Sequence, residues 1–186
     1  LTTGAPNFSA TAIISSPASS APCPASITTL FPVLRILAEF SIKECIESLL
    51  YMFKSQYENI NINFDCEDIL ITNYENELKQ SILNILNNAK DAINQRKENE
   101  PCDAQIDINS YIKDNKLKIS IYNNGGNIPL EIIDRIFEPY FTTKFESQGT
   151  GIGLYMTKAI IETNMKGKIE VENINDGVNF TITLDI

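Results

Sequence analysis

Residues 75–93 read E-N-E-L-K-Q-S-I-L-N-I-L-N-N-A-K-D-A-I, and this stretch anchors the fold. Leu78, Ile82, Ile85, Leu86, Ala89 and Ile93 recur at intervals of three and four, so they line one face of a helix. The spacing predicts a long helix from Glu75 to about Lys97. Asn84 and Asn88 stand four apart and share a face, and Asp91 falls on nearly the same face one turn later. Polar side chains beside an apolar face are costly if buried without partners. Carboxamide oxygens can ligate Mg²⁺, which takes hard oxygen donors and completes its shell with water and phosphate. A solvated polar edge explains the same residues equally well at this point.

On either side of this helix the pattern alternates between two periods. Phe40-Ser41-Ile42 reads as a short strand, and Lys43 to Asn59 as a helix with Ile46, Leu49, Leu50 and Phe53 inward. Asn61–Asp65 and Ile69–Thr72 read as strands. Gln105–Ile112 and Lys116–Tyr122 alternate as two more, joined at Lys113-Asp114-Asn115. Leu130–Ile136 is expected to be a short helix opened by Pro129, and Gly153–Thr163 another helix. Lys168–Asn173 and Val178–Leu184 form a closing hairpin around Asn175-Asp176-Gly177. Three main helices and a mixed, mostly antiparallel sheet make an α+β two-layer sandwich.

Residues 1–34 are written differently. They contain no charged residue, and 22 of them are Ala, Ser, Thr or Pro, too few large apolar groups to offset ordering entropy. They lack the basic start and continuous apolar run of a signal peptide. The reading takes residues 1–38 as a poorly ordered leader, tag or linker, and 39–186 as the domain. The first residue is Leu1 rather than Met, which suggests a fragment or processed chain whose parent could be membrane-anchored. No run of about 18 apolar residues is present, so no membrane contact by this domain is expected.

The chain of 186 residues carries a net charge of −9, which argues against a broad nucleic-acid surface. That charge leaves room for a local anion held by backbone N–H groups and a metal. Cys23, Cys45, Cys66 and Cys102 are widely spaced, and no histidine exists to complete a zinc site. They read as reduced structural thiols of a cytoplasmic protein.

Five of the eight glycines fall between 125 and 153. In I-Y-N-N-G-G-N-I-P, Gly125 and Gly126 permit a tight turn and close backbone approach to a flat ligand. Asn123, at the strand end, can bond a base edge. By itself this is an ordinary Gly-Asn turn. In I-F-E-P-Y-F-T-T-K-F-E-S-Q-G-T-G-I-G-L-Y-M, Gly149, Gly151 and Gly153 alternate just before a helix, where free N–H groups and the dipole favour an anion. The stretch from Phe137 to Gln148 begins with aromatic anchors and turns polar, as a mobile lid would.

Taken together, in this order, these segments resemble the N, G1, F and G2 boxes of the histidine-kinase catalytic domain. That domain belongs to the GHKL superfamily shared with gyrase, Hsp90 and MutL. The match covers about 40–186, and I-F-E-P-Y-F-T-T-K followed by G-T-G-I-G-L-Y is its most specific part. The resemblance implies a Bergerat-type ATP-binding fold with ATP and Mg²⁺ as cofactors. It implies that Asn88 ligates the metal and that Asn84 sits near the γ-phosphate. Lys144 would neutralise phosphate charge from the lid, with Thr143 beside it. Gly149, Thr150, Gly151, Ile152, Gly153 and Leu154 would wrap the phosphates. Asn123, Gly125, Ile128 and Asp91 would complete the nucleotide site. Lys90 and Arg96 read more simply as solvated helix charges than as phosphate ligands.

The implied reaction is transfer of the γ-phosphoryl to a histidine on a separate phosphoacceptor domain, then to a response regulator. ATP-hydrolysing relatives carry a glutamate general base where this chain has Asn84, so transfer to water is disfavoured. The sequence holds no histidine, so the phosphoacceptor and its helical hairpin are not in it. The isolated domain is expected to be monomeric and to show little transfer, with a homodimeric parent. Two departures from the family's D-x-G-x-G matter: Asn123 replaces the aspartate and Asn127 the second glycine. A neutral acceptor bonds more weakly than a charged one, so adenine binding should be weaker but retained. A degenerate nucleotide-sensing pseudokinase and a GHKL-type ATPase are the alternatives. Gly151→Ala is expected to harm nucleotide affinity more than folding.

Overall fold

A computed structural model describes residues 37–143 and 150–186. The leader up to residue 36, together with Lys144 and Gly149, lies outside the described residues.

Strands β1 (Ala38–Ser41), β2 (Asn61–Cys66), β3 (Leu70–Asn73), β4 (Gln105–Lys113), β5 (Lys116–Asn123), β6 (Lys168–Ile174) and β7 (Gly177–Asp185) accompany helices α1 (Ile42–Met52), α2 (Glu75–Asn99) and α3 (Gly153–Lys158). The main sheet has the order β2-β4-β5-β7-β6, and β1 pairs with β3 in a separate two-stranded sheet. Among the described residues only the β2–β4 pair is parallel; the other pairs are antiparallel. This is the α+β, largely antiparallel arrangement that the alternating periods predict.

Period two divides the sheet. Ile106 and Ile108 of β4, Leu117, Ile119 and Ile121 of β5, and Val178, Phe180, Ile182 and Leu184 of β7 are buried. They share one core with Ile46 and Leu49 of α1 and with Leu78, Ile82, Ile85, Leu86 and Ile93 of α2. The alternate residues, among them Asp107, Asn109, Lys118 and Ser120, lie on the opposite face.

Three local expectations change. The helix expected to run to Asn59 ends at Met52, and a 3₁₀ turn at Lys54–Tyr57 follows. That turn delivers Tyr57 to the core, where its hydroxyl donates to Asn87 Oδ1 at 3.2 Å. The helix expected over Leu130–Ile136 is absent. Ile132 and Ile133 both donate their N–H groups to the Pro129 carbonyl, and only a 3₁₀ turn, Ile133–Arg135, forms. Leu130 is 77% exposed and only Ile136 of this stretch is buried, so no apolar face holds a short helix together. Helix α3 passes into a π-helical segment, Ala159–Asn164. In this segment the consecutive residues Ile160 and Ile161 are both in the core.

The turns show how the ends of the strands are set. Asp114 and Asn115 both take positive φ, the type I′ geometry of a two-residue hairpin. In the β6–β7 hairpin the positive φ belongs to Asn175, not to Gly177. Gly177 is instead the first residue of β7, and a Cβ there would collide with the main-chain carbonyl oxygen of Asn123. The glycine therefore sets a close approach between the hairpin and the end of β5. Gly177→Ala should destabilise the domain by about 1–3 kcal/mol, the range for overpacking. Asn175→Gly, which relieves a positive φ, should cost far less. Thermal melts of the two variants compare them directly; equal melting temperatures would contradict this account of Gly177.

Candidate nucleotide site

Helix α2 is the floor on which the other site segments rest. At Gly125, a Cβ would fall 2.6 Å from Ala92 Cβ and 2.8 Å from the Ala92 carbonyl carbon and the Ile93 nitrogen. The loop after β5 thus lies directly on the backbone of α2, one turn beyond Asn88. Ahead of that turn, Asn84 Nδ2 donates to the Gly153 carbonyl (3.3 Å) and to Thr157 Oγ1 (3.2 Å). Thr157 Oγ1 donates in turn to the same carbonyl at 3.0 Å. One face of α2 therefore holds the glycine turn of 123–128 at one end and the start of α3 at the other.

Asn123 is 3% exposed, closing the bottom of the loop. Its Oδ1 accepts the Gly125 N–H at 3.1 Å, and its Nδ2 points to the Val178 carbonyl at 3.4 Å. Gly126 has φ +97°, and nothing lies within 4 Å of where its Cβ would stand. Ile128 is half-buried and packs on the core.

The segment before α3 is anchored by aromatics. The Phe137 ring meets Phe180 edge-on with centroids 6.4 Å apart, and Lys158 Nζ lies 5.3 Å from the Phe137 centroid. The Arg135 guanidinium lies 4.9 Å from the Phe141 centroid. Tyr140 takes φ +64° and is 76% exposed. Gly151, at φ +65°, packs its α-carbon against this bend: a Cβ there would lie 2.5 Å from the Tyr140 carbonyl carbon. Thr143 and Thr150 are exposed, as is Ile152, while Leu154 packs against the core.

The charged candidates on α2 separate. Lys90 Nζ lies 5.6 Å from the Tyr57 ring centroid. Asp91 is half-buried near the same tyrosine. Burial, and then the Asp91 charge, pushes the Tyr57 hydroxyl up to about 12. Arg96 donates from its guanidinium to the Asn124 carbonyl (2.7 Å), to Asp176 Oδ2 (2.8 Å) and to Glu100 Oε1 (2.7 Å). It is a structural tie rather than the freely solvated charge that the sequence suggests. Asn173 bonds the main chain of Ile128 at two points. Asn173 belongs to no recognisable motif, and only the fold reveals that it touches the loop; Asp176, a residue of the hairpin turn, acts one step back by bonding Arg96.

A family model described as histidine kinase-, DNA gyrase B-, and HSP90-like ATPase matches residues 73–186. This chain belongs to that family. Within it, the chain is similar to the catalytic domain of the histidine kinase ThkA, at 32% identity and a TM-score of 0.71. That match covers 81% of this chain and 95% of the ThkA domain. Among whole proteins it is similar to the signal transduction histidine-protein kinase AtoS of Escherichia coli K12, with 33% identity over 154 residues, 80% of this chain and 24% of AtoS. It is also similar to the two-component sensor PprA of Pseudomonas aeruginosa, with 30% identity over 118 residues, 63% of this chain and 13% of PprA. The chain thus spans less than a quarter of each of these two proteins. It is a nucleotide-binding catalytic domain of the sensor histidine kinase kind, as its motifs imply.

The backbone alters the expected behaviour of Gly151. Its positive φ and its contact with Tyr140 mean that Gly151→Ala strains the fold itself, so affinity and stability fall together. Gly153 is the cleaner probe, because a Cβ there meets nothing within 4 Å and the position is helical. Gly153→Ala should leave the stability of the domain unchanged or raise it, by up to about 1 kcal/mol of helix propensity. With the phosphates at the start of α3, ATP affinity should fall several-fold, because the added methyl group takes space that they would fill. Calorimetry paired with thermal melts reads both quantities, and undiminished affinity in Gly153→Ala would place the phosphates elsewhere.

Proposed function

We propose that this domain binds Mg-ATP along α2 and donates its γ-phosphoryl group to a histidine on a separate phosphoacceptor domain. A response-regulator aspartate receives the group next. The observation that carries this reading is the docking of both glycine segments on one helix: Gly125 on Ala92, and the Gly153 carbonyl on Asn84. A ligand lying along that face meets the base loop at one end and the N–H groups at the start of α3 at the other. ThkA has been crystallised in complex with the response regulator TrrA, and this chain is 30% identical to that ThkA chain with a TM-score of 0.67, covering 41% of it. That likeness supports a regulator partner.

The donor set fits a metal that arrives with the nucleotide rather than a resident one. Among the described residues no group of three or more His, Cys, Asp or Glu side chains could hold a metal ion. Asn88 offers a hard neutral oxygen, which suits Mg²⁺ when phosphate and water fill most of its shell. The metal's contribution is to neutralise charge on the phosphates. In the proposed scheme Asn123 orients the base, Gly125 and Ile128 line its pocket, Asp91 lies beside the nucleoside, and the backbone of 150–154 holds the phosphates. By resemblance, Lys144 is assigned as the lid charge that neutralises the phosphates, Thr143 as a nucleotide contact beside it, and Gly149 joins the backbone of 150–154 around the phosphates. Asn84 is placed near the reacting phosphate without a carboxylate to activate water, which favours transfer to a protein side chain.

The proposed setting is the cytoplasm, which supplies ATP. The described cysteines, Cys45, Cys66 and Cys102, are unpaired, as suits a reducing compartment. Burial pushes the Cys45 thiol up to about 12 and raises that of Cys66, so both are inert structural groups.

Calorimetry with a non-hydrolysable ATP analogue and Mg²⁺ tests the reading; absence of heat at millimolar nucleotide would sink it. Asn88→Ala should weaken Mg-ATP binding about tenfold or more, about 1.4 kcal/mol, with little effect on metal-free nucleotide. Asn123→Asp should bind ATP several-fold tighter through a charged acceptor, while a buried carboxylate facing the Val178 carbonyl lowers the melting temperature. Supplying a histidine-bearing hairpin in trans should yield an acid-labile phosphoprotein. Steady phosphate release without an acceptor, abolished in Asn88→Ala, would favour an ATPase instead.

A further inference from the structure

The 123–128 loop is held from outside by groups that belong to none of the motifs. Asn173, near the end of β6, pairs with Ile128 as a strand would: Oδ1 accepts the Ile128 N–H at 2.9 Å, and Nδ2 donates to the Ile128 carbonyl at 2.7 Å. At the other end of the loop Arg96 donates to the Asn124 carbonyl at 2.7 Å. The same nitrogen reaches Asp176 Oδ2, and Nε bonds Glu100, so the guanidinium is fixed on three sides. Asp176 is braced in turn by the Tyr122 hydroxyl at 3.2 Å. Between these ends, Asn127 Nδ2 donates to the Asn175 carbonyl at 3.3 Å.

We propose that Asn173 and Arg96 are positioning residues that hold the 123–128 loop, from its two ends, in the shape that receives the nucleotide base. This rests on the reading of that loop as the base-binding segment. The argument is one of preorganisation. A glycine-rich loop is conformationally free, and ordering it on binding weakens affinity. Here the order is supplied in advance by the β6–β7 hairpin and the end of α2. The Asn173 side chain adds nothing to the β6–β7 ladder, where Asn173 pairs with Val178 through the backbone. Its two bonds act on the loop alone. Asn127 fits the same design. It stands where the resembling motif has glycine, and its side chain is a further tie to the hairpin turn.

The test combines amide hydrogen exchange of the nucleotide-free domain with calorimetry of Mg-ATP binding, using Asn173→Ala, Asn173→Asp, Arg96→Ala and Arg96→Lys. In Asn173→Ala the Ile128 and Gly125 amides should exchange faster while the β6–β7 ladder amides keep their protection. The dissociation constant for ATP should rise about tenfold, as expected for two lost hydrogen bonds. Asn173→Asp keeps the acceptor and loses the donor, so its effect should be intermediate. Arg96→Lys should behave like Arg96→Ala, because an ammonium cannot reproduce the fork to Asn124, Asp176 and Glu100. Should an alanine variant fail to fold, the aspartate and lysine variants carry the comparison. Unchanged ATP affinity in folded variants with a loosened loop overturns the proposal. So does loss of ladder protection equal to that of the loop, which marks a general structural role. Wild-type protein that binds no ATP would instead refute the assignment of the loop as a base site.

Discussion

The seating of Gly125 on the backbone of α2 at Ala92 is the constraint on which the site depends. A methyl group at 125 would have to occupy space already taken by Ala92. The loop can therefore approach the helix only because both residues are small. This contact fixes the gap between the end of β5 and α2. The Asn84 bonds to Gly153 and Thr157 then fix the opposite margin, where α3 begins. The long helix holds both, and its buried row from Leu78 to Ile93 ties it to the sheet.

The polar chemistry of the site is written mostly in neutral amides. Asn84, Asn123, Asn124, Asn127 and Asn173 each use a carboxamide to hold main chain in place. A carboxamide offers both donor and acceptor, so one side chain can satisfy an N–H and a carbonyl together, as Asn173 does at Ile128. In a chain of net charge −9 that is to hold a polyanion, neutral groups also avoid adding repulsion at the site. A charged pair, Arg96–Asp176, stands at the margin. Arg96, then the Tyr122 hydroxyl, hold the Asp176 carboxyl below its usual range. A depressed carboxylate stabilises the fold above the ordinary carboxylate range and loses that contribution only as pH falls through the lowered value. The tie therefore stays intact around neutrality. Both groups are solvent-screened, so its value lies in geometry rather than in large stabilisation.

Much of the fold was legible because burial imposes periodicity. The long helix, the β4–β5 pair and the β6–β7 pair each announce themselves through residues that must face one core. What failed were segments in which periodicity is a weak guide. Leu130–Ile136 looks helical by composition, yet it lacks an apolar face and settles into turns around Pro129. The end of α1 tightens to deliver Tyr57, and α3 widens into a π-helical segment that carries Ile160 and Ile161 into the core. In each case long-range packing outweighed local preference.

By itself the sequence determined the class of fold, the order of the four motifs and the family, since spacing and glycine placement are local properties of the chain. It also placed Asn84, Asn88, Asn123 and the glycines as the candidate ligand contacts. Only the tertiary structure decided which groups hold those contacts in place. Arg96 and Asn173 lie far from the loop in sequence: Arg96 meets it from the end of α2, Asn173 meets it from β6, and Asp176 of the hairpin turn holds Arg96. The closure of the sheet by β6–β7 turned Gly177 from a presumed turn residue into a close contact with Asn123, because a steric requirement between distant strands leaves no mark in either strand's own pattern.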